Sequence, residues 1–312
     1  MSSIPDATRF LHVVELGLGA WQWGDRFIWQ FGQGYDEEAI REAFLASIQA
    51  GVRLVDTAEV YGNGRSERLL GAFLKETEEP VLVATKFMPF PWRLSRRSLL
   101  RALRNSLERL GLNQVDLYQI HWPFPPLSIE TWMEAMVEAV EKGLTRTVGV
   151  SNYNLSQMMQ AYATLQRHGL PLASNQVKYS LLDRRVEKNG LLARCKELGV
   201  RLIAYSPLEM GLLTGKYGPE NPPPGVRGTR YRRLLPSLPR LIERMRQIGE
   251  AHGGKSPSQV ALNWLICKGA LPIPGAKNAA QAIQNAGASG WRLSEAEIEE
   301  LDELSDEITQ EK

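Results

Sequence analysis

Short apolar runs alternate with longer amphipathic segments along the whole chain. The runs at 16–19, 53–56, 81–86, 115–120, 145–150, 172–176, 200–204 and 270–273 are nearly continuous in apolar character. That is the pattern of strands buried on both faces. Helical spacing follows most of them, at 36–50, from Ser66 with Leu69, Leu70 and Phe73 on one face, and at 95–110, 128–142, 155–167, 186–198 and 278–286. Two more helices, at 238–251 and 258–267, precede the last strand, and an acidic helix at 294–305 ends the pattern. The boundaries carry the expected chemistry. Asp36, Glu37 and Glu38 place acids in a first turn, Gly143 and Gly199 act as stops, and Ser294 with Glu297 forms a capping box. After the seventh strand an irregular stretch includes Asn221-Pro222-Pro223-Pro224-Gly225.

Eight strands, each followed by a helix at a repeat of roughly 25 to 45 residues, predict a (β/α)8 TIM barrel occupying the chain as one domain, 1–312. A doubly wound open sheet is the competing fold. It is disfavoured because no predicted strand is followed by Gly-x-Gly-x-x-Gly; Gly62, Asn63 and Gly64 come nearest, with the wrong spacing.

A barrel brings all strand ends to one rim, so residues far apart in sequence converge there. Strand two ends at Asp56, with Tyr61 in the glycine-rich loop beyond it. Strand three ends at Lys86, strand four at His121, strand five at Ser151 and Asn152, strand six at Gln176, and strand seven at Tyr205 and Ser206. Each alone has a plain structural explanation. Together they suggest proton transfer to a carbonyl oxygen. A free phenol, with a pKa near ~10, is a poor donor at neutral pH. A lysine beside it would lower that pKa, an aspartate would keep the lysine charged, and a neutral histidine could donate to the carbonyl. None of these supplies a hydride, so a cofactor is required.

Composition narrows the alternatives. Of 312 residues, 43% are hydrophobic and 23% charged, and the net charge of +2 gives no signal for nucleic acid or membrane. No apolar run reaches membrane-spanning length. The start, Met-Ser-Ser-Ile-Pro-Asp, lacks a secretory pattern, and Cys195 and Cys267 read as thiols of a reducing compartment, so a cytoplasmic protein is expected. No His/Cys/Asp cluster has zinc spacing, so no metal is expected.

The chain resembles the aldo-keto reductase superfamily. The resemblance rests on Asp56-Thr57-Ala58, Tyr61-Gly62, Ser66-Glu67, Leu70-Gly71, Thr85-Lys86, His121-Trp122-Pro123 and Gly149-Val150-Ser151-Asn152. It continues through Asn175-Gln176, Tyr205-Ser206-Pro207-Leu208, 211–217 and 274–278. It is closest to the branch holding plant and bacterial reductases and potassium-channel β subunits. The resemblance implies Tyr61 as general acid, tuned by Lys86 and Asp56, with His121 orienting the substrate. It implies a nicotinamide held by Ser151, Asn152 and Gln176 and stacked on Tyr205. Ser206, Leu208, Gly211 and Lys216 would hold the pyrophosphate, and Gly275, Lys277, Gln281, Gln284 and Asn285 the adenosine end. The cofactor implied is NADPH/NADP, with NADH less favoured. Lys277 is the only cation expected near the last loop, because Gly275-Ala276 and Gln281 stand where many relatives carry Lys-Ser and Arg.

Trp21, Trp23, Trp92 and Trp122 fall in predicted rim loops and are expected to line a small-molecule carbonyl site. The arginine-rich run 227–233 reads as a solvated loop or cofactor lid, and Arg96, Arg97, Arg101 and Arg104 as a solvated helix face. The principal expectation is an NAD(P)H-dependent carbonyl reductase. The alternatives are a non-catalytic cofactor-sensing subunit and a lyase using Lys86 as a Schiff base. Substrate identity and oligomeric state are not fixed by the sequence.

Overall fold

The computed structural model describes residues 8–26 and 29–310. The stretch read for a secretory signal lies outside them. Eight strands run in chain order: β1 (Gly17–Gly19), β2 (Leu54–Asp56), β3 (Leu82–Phe87), β4 (Val115–Ile120), β5 (Thr145–Ser151), β6 (Leu172–Lys178), β7 (Arg201–Tyr205) and β8 (Leu271–Pro272). Each pairs in parallel with the next. The ring closes by a bridge between Gly19 and Gly275, with the Gly19 N–H donating to the Pro274 carbonyl at 3.0 Å. A Cβ at position 19 would stand 2.7 Å from the Ile273 carbonyl oxygen, so this seam needs a glycine. The architecture is the expected (β/α)8 TIM barrel.

The helices are α1 (Arg9–Val13), α2 (Glu37–Gln49), α3 (Arg65–Phe73), α4 (Arg96–Leu110), α5 (Ile129–Glu141), α6 (Leu155–Gln166), α7 (Arg185–Lys188) and α8 (Leu191–Leu198). They continue with α9 (Val226–Tyr231), α10 (Leu238–Ala251), α11 (Pro257–Cys267), α12 (Ala279–Ala286) and α13 (Glu295–Gln310). In α4, Leu99, Leu100, Leu103, Leu107 and Leu110 are buried while Arg96, Arg97, Arg101 and Arg104 are exposed. Its arginines are the solvated face expected. No described helix is long and apolar enough to cross a membrane.

Three expectations change. The helix at 186–198 is two helices, because Gly190 adopts a left-handed conformation (φ 76°) at the start of α8. The irregular stretch after β7 contains a 3-10 segment, Glu209–Thr214, and α9. The terminal helix runs on to Gln310. Helix α1 was not foreseen; five residues are too few to show a period. Its Leu11 is fully buried in the barrel interior, in one cluster with Leu54, Ala84, Leu117, Ala173, Ile203, Leu271 and Ile273.

That cluster sets the depth of the polar site. Strand side chains alternate between faces. Leu54, Ala84 and Leu117 point inward, so the residues two positions further along, Asp56, Lys86 and Gln119, do so as well. All three are buried, and Lys86 pairs with Gln119 in the β3–β4 register. An apolar plug thus underlies a polar layer that opens toward the carboxyl ends of the strands.

Candidate active site

The loop from β2 to α3 carries Tyr61 and is fixed by short-range polar contacts. Thr57 and Ser66 share a hydroxyl hydrogen bond of 2.8 Å, and Ser66 also donates to the Ala20 carbonyl at 2.9 Å. Glu67, fully buried, accepts from the Thr85 hydroxyl and from Arg109, each at 2.6 Å, tying α3 to β3 and α4. Gly62 has φ 55°, and a Cβ there would come within 2.7 Å of the Gly24 carbonyl oxygen. These contacts give the motif residues around Tyr61 a physical purpose: they hold the phenol over the barrel mouth.

Lys86 is the centre of the site. Its ammonium, with no exposed surface, donates to Asp56 Oδ1, to the Thr57 carbonyl at 2.8 Å and to the Tyr61 hydroxyl at 3.3 Å. The second oxygen of Asp56 accepts from Gln176 Nε2 at 2.8 Å and from Gln119 Nε2 at 3.2 Å. Burial works against the lysine's charge, but Asp56 and Tyr61 outweigh it and hold its pKa above the usual value. An ammonium with three acceptors has no lone pair for a Schiff base, which removes the basis for the lyase reading.

The balance at Tyr61 corrects an expectation. Burial raises its pKa, Lys86 opposes this and Asp56 adds to it, so the phenol stays above its ordinary value instead of falling below it. The His121 ring meets the Tyr61 ring edge-on at 5.7 Å between centroids. Burial, and then the charge of Lys86, push the histidine down to about 3, so its imidazole is neutral at physiological pH.

Around this set the strand ends interlock. Asn152, at φ 63°, donates from Nδ2 to the His121 carbonyl at 3.0 Å, and its Oδ1 accepts from the Tyr205 hydroxyl at 3.0 Å. Ser151 donates to the Gln176 carbonyl at 2.9 Å. Ser206 has φ 51° and Gly211 φ 100°, and Leu208 sits between them at the start of the 3-10 segment.

The β8 side shows a second cluster. Lys277 lies 4.3 Å from the centroid of the Tyr35 ring and 5.1 Å from that of Trp29, and its Nζ is 3.4 Å from the Trp29 carbonyl. Burial, then the charges of Arg227 and Lys216, lower its pKa to about 8. Lys277 is therefore not the lone cation the sequence suggested. Arg227 and Lys216, both over the Tyr217 ring, act on Lys277, and none of the three forms a salt bridge among the described residues. Arg227 was missed as an individual: it lies 50 residues upstream of Lys277, in a run whose exposed members Arg230, Arg232 and Arg233 made the whole look solvated. Nearby, Gln281 accepts from the Lys277 N–H at 3.0 Å, Gln284 donates to Ser256 at 3.0 Å, and Asn285 donates to the Gly275 carbonyl at 3.2 Å. The amide of Gln22 covers Gly275. The buried Gln22 Oε1 and His121 Nδ1 have no hydrogen-bond partner among the described residues.

The four tryptophans separate. Trp21 lies against Tyr61, ring centroids 6.3 Å apart, and meets Trp29 edge-on at 5.6 Å. Trp23 does not line the site. It is fully buried against Phe44 and Phe73, and its indole N–H reaches the Ala276 carbonyl at 3.4 Å. Two positions along an irregular loop turned its ring from the mouth to the core. Trp92 is 71% exposed and stacks on Phe90, and Trp122 stacks on Phe124.

Known proteins resemble this chain in sequence and fold. A model of the Aldo/keto reductase family matches residues 15–306. The chloroplastic pyridoxal reductase of Arabidopsis thaliana is 41% identical over 305 residues, covering 94% of this chain and 83% of that protein. The crystal structure of a thermostable aldo-keto reductase in complex with the inhibitor epalrestat aligns with a TM-score of 0.75 at 34% identity, over 93% of this chain and 94% of that one. An aldo/keto reductase from Klebsiella pneumoniae, crystallised with NADP and acetate, aligns with a TM-score of 0.74 at 29% identity, over 93% and 90%. With a match across nearly its full length, this chain belongs to the aldo/keto reductase family and is an oxidoreductase.

Proposed function

We propose that this protein uses NADPH to reduce aldehydes or ketones to alcohols, with Tyr61 as the proton donor. The observation that carries the reading is the buried Lys86 ammonium held between Asp56 and the Tyr61 hydroxyl. A reduced nicotinamide, when bound, supplies the hydride to the carbonyl carbon. Tyr61 gives its proton to the carbonyl oxygen, and Lys86 stabilises the phenolate that remains. Asp56 keeps the ammonium charged and aimed. Neutral His121 orients the carbonyl without competing for the proton.

The residues fit a phosphate-rich cofactor. Arg227 and Lys216 are near enough to Lys277 to lower its pKa, and no salt bridge among the described residues neutralises the three, an arrangement that repels itself until an anion enters. Lys277 and Arg227 would read the 2′-phosphate, next to the Asn278-capped start of α12. Lys216, Ser206, Leu208 and Gly211 would hold the pyrophosphate. Gly275, Gln281, Gln284 and Asn285 would border the adenosine. Ser151, Asn152 and Gln176 would take the carboxamide, and Tyr205 would stack on the ring. Trp21 is the substrate-facing aromatic best supported by position, with Trp92 and Trp122 as outer walls.

The similarity to a pyridoxal reductase makes pyridoxal the first substrate to test, with nitrobenzaldehyde as a reactive reference. Loss of NADPH absorbance is the readout. Turnover that disappears in Tyr61→Phe supports the reading. Tight NADPH binding with no turnover on any carbonyl would favour the cofactor-sensing alternative.

A further inference from the structure

Gln119 lies inside β4, wholly buried, one layer above Leu117 of the apolar plug. Its Nε2 donates to Asp56 Oδ2 at 3.2 Å, and its Oε1 accepts from Gln176 Nε2 at 3.4 Å. That same Gln176 nitrogen donates to Asp56 Oδ2 at 2.8 Å. The three side chains close a ring. A carboxylate only accepts, so both glutamines must turn their nitrogens toward Asp56. Asp56 Oδ1 is left to Lys86 alone.

We infer that Gln119 is a positioning residue for both halves of the reaction, fixing the Asp56 carboxylate beneath Lys86 and the plane of the Gln176 amide. The inference rests on the function proposed above and deepens it. Two consequences follow from donor counting. Gln119 shares the charge of Asp56, and this limits how strongly the aspartate holds the Lys86 proton. In addition, both hydrogens of Gln176 Nε2 are engaged, so Gln176 has only its oxygen to offer a ligand. Whatever binds there must bring a donor, as the NH2 of a carboxamide does. Gly149, the β5 partner of Gln119, leaves room for this ring: a Cβ there would lie 2.3 Å from Ser174 Oγ and 3.3 Å from Gln119 Cγ.

The test is Gln119→Leu, with Gln119→Glu as its complement. With one donor lost, the charge on Asp56 is less dispersed and Lys86 is held harder by it. Lys86 then gives less to Tyr61, whose pKa rises further. The expected result is about tenfold lower kcat, with the alkaline limb of reduction and the acid limb of alcohol oxidation both displaced to higher pH. NADP affinity, read by quenching of tryptophan fluorescence, should fall several-fold as Gln176 is released. In Gln119→Glu two carboxyl groups sit in contact and cannot both ionise. The new one keeps a proton and donates to Asp56, so activity should survive at neutral pH and be lost as that proton leaves. Wild-type kcat, unshifted limbs and unchanged NADP affinity in Gln119→Leu, with Tyr61→Phe inactive, would overturn the positioning role and leave the proposed function standing. An active Tyr61→Phe would instead overturn the proposed function itself. If Gln119→Leu fails a cooperative thermal melt, the pH dependence of Gln119→Glu decides alone, and a profile superimposable on wild type rejects the inference.

Discussion

The Lys86 ammonium lies 3.3 Å from the Tyr61 hydroxyl and 4.9 Å from the centroid of the same ring. The contact serves the phenolate that forms as the proton leaves, so its value is realised during the reaction and not before it. Tyr61→Phe should therefore lower kcat at least ~100-fold with cofactor affinity nearly unchanged. Single-turnover reduction and fluorescence titration on the same variant separate the two. Retention of a tenth of wild-type turnover would mean that another group donates the proton.

The pH behaviour follows from the two raised groups and the one lowered group. Tyr61 and Lys86 are both held above their ordinary values, so reduction should remain flat through neutral pH and decline only in alkaline solution. His121, at about 3, should contribute no limb near its ordinary value of 6.5. Its effect appears in stability instead. Between pH 6.5 and 3 the unfolded chain binds the extra proton, so this contribution is fully present above 6.5 and lost as pH falls through that window. Denaturation midpoints across this range should be less acid-sensitive in His121→Asn than in wild type. Equal sensitivity would show that the imidazole is not buried neutral.

NADPH should be preferred over NADH, with Lys277 and Arg227 sharing the discrimination. One charge-assisted contact is worth ~1.5–3 kcal/mol, or roughly 10- to 100-fold in affinity. Lys277→Ala should weaken NADPH binding within that range and leave NADH nearly unaffected, and Arg227→Ala should act in the same direction. Because Lys277 titrates at about 8 before a phosphate arrives, NADPH binding near that pH should take up a proton. Calorimetry in two buffers of different ionisation enthalpy measures it. Equal losses for both cofactors would assign these cations to the pyrophosphate.

Trp21 and Trp23, two residues apart, should behave oppositely. Trp23→Ala removes a fully buried ring and should cost ~3–5 kcal/mol of stability. Trp21→Ala should leave the unfolding transition almost unmoved and alter KM across aromatic and aliphatic aldehydes. Denaturant titration and a substrate series on both variants check this. A Trp21→Ala protein with unchanged specificity would remove that ring from the substrate wall.

Apolar periodicity determined the alternation of strands and helices, because strands buried on both faces and helices buried on one leave distinct marks in a linear chain, and the missing Gly-x-Gly-x-x-Gly turn favoured the barrel over an open sheet. It also placed Asp56, Lys86 and His121 at consecutive strand ends, with Tyr61 in the loop between the first two, since a closed parallel sheet sends every strand end to one rim. What it could not reach was anything set by distance across the barrel. Gln119 is a mid-strand glutamine until Asp56, 63 residues earlier, is seen to accept from it. The inward alternation from Leu117 was the one available sign. Arg227 is one of several arginines until the fold brings it near enough to lower the pKa of Lys277. Trp23 and Trp21 share a loop whose direction no pattern encodes. The sign of the Tyr61 shift was decided by the tertiary structure alone, because it is the balance of burial and the Asp56 charge against Lys86, and burial exists only once the chain has closed around the residue.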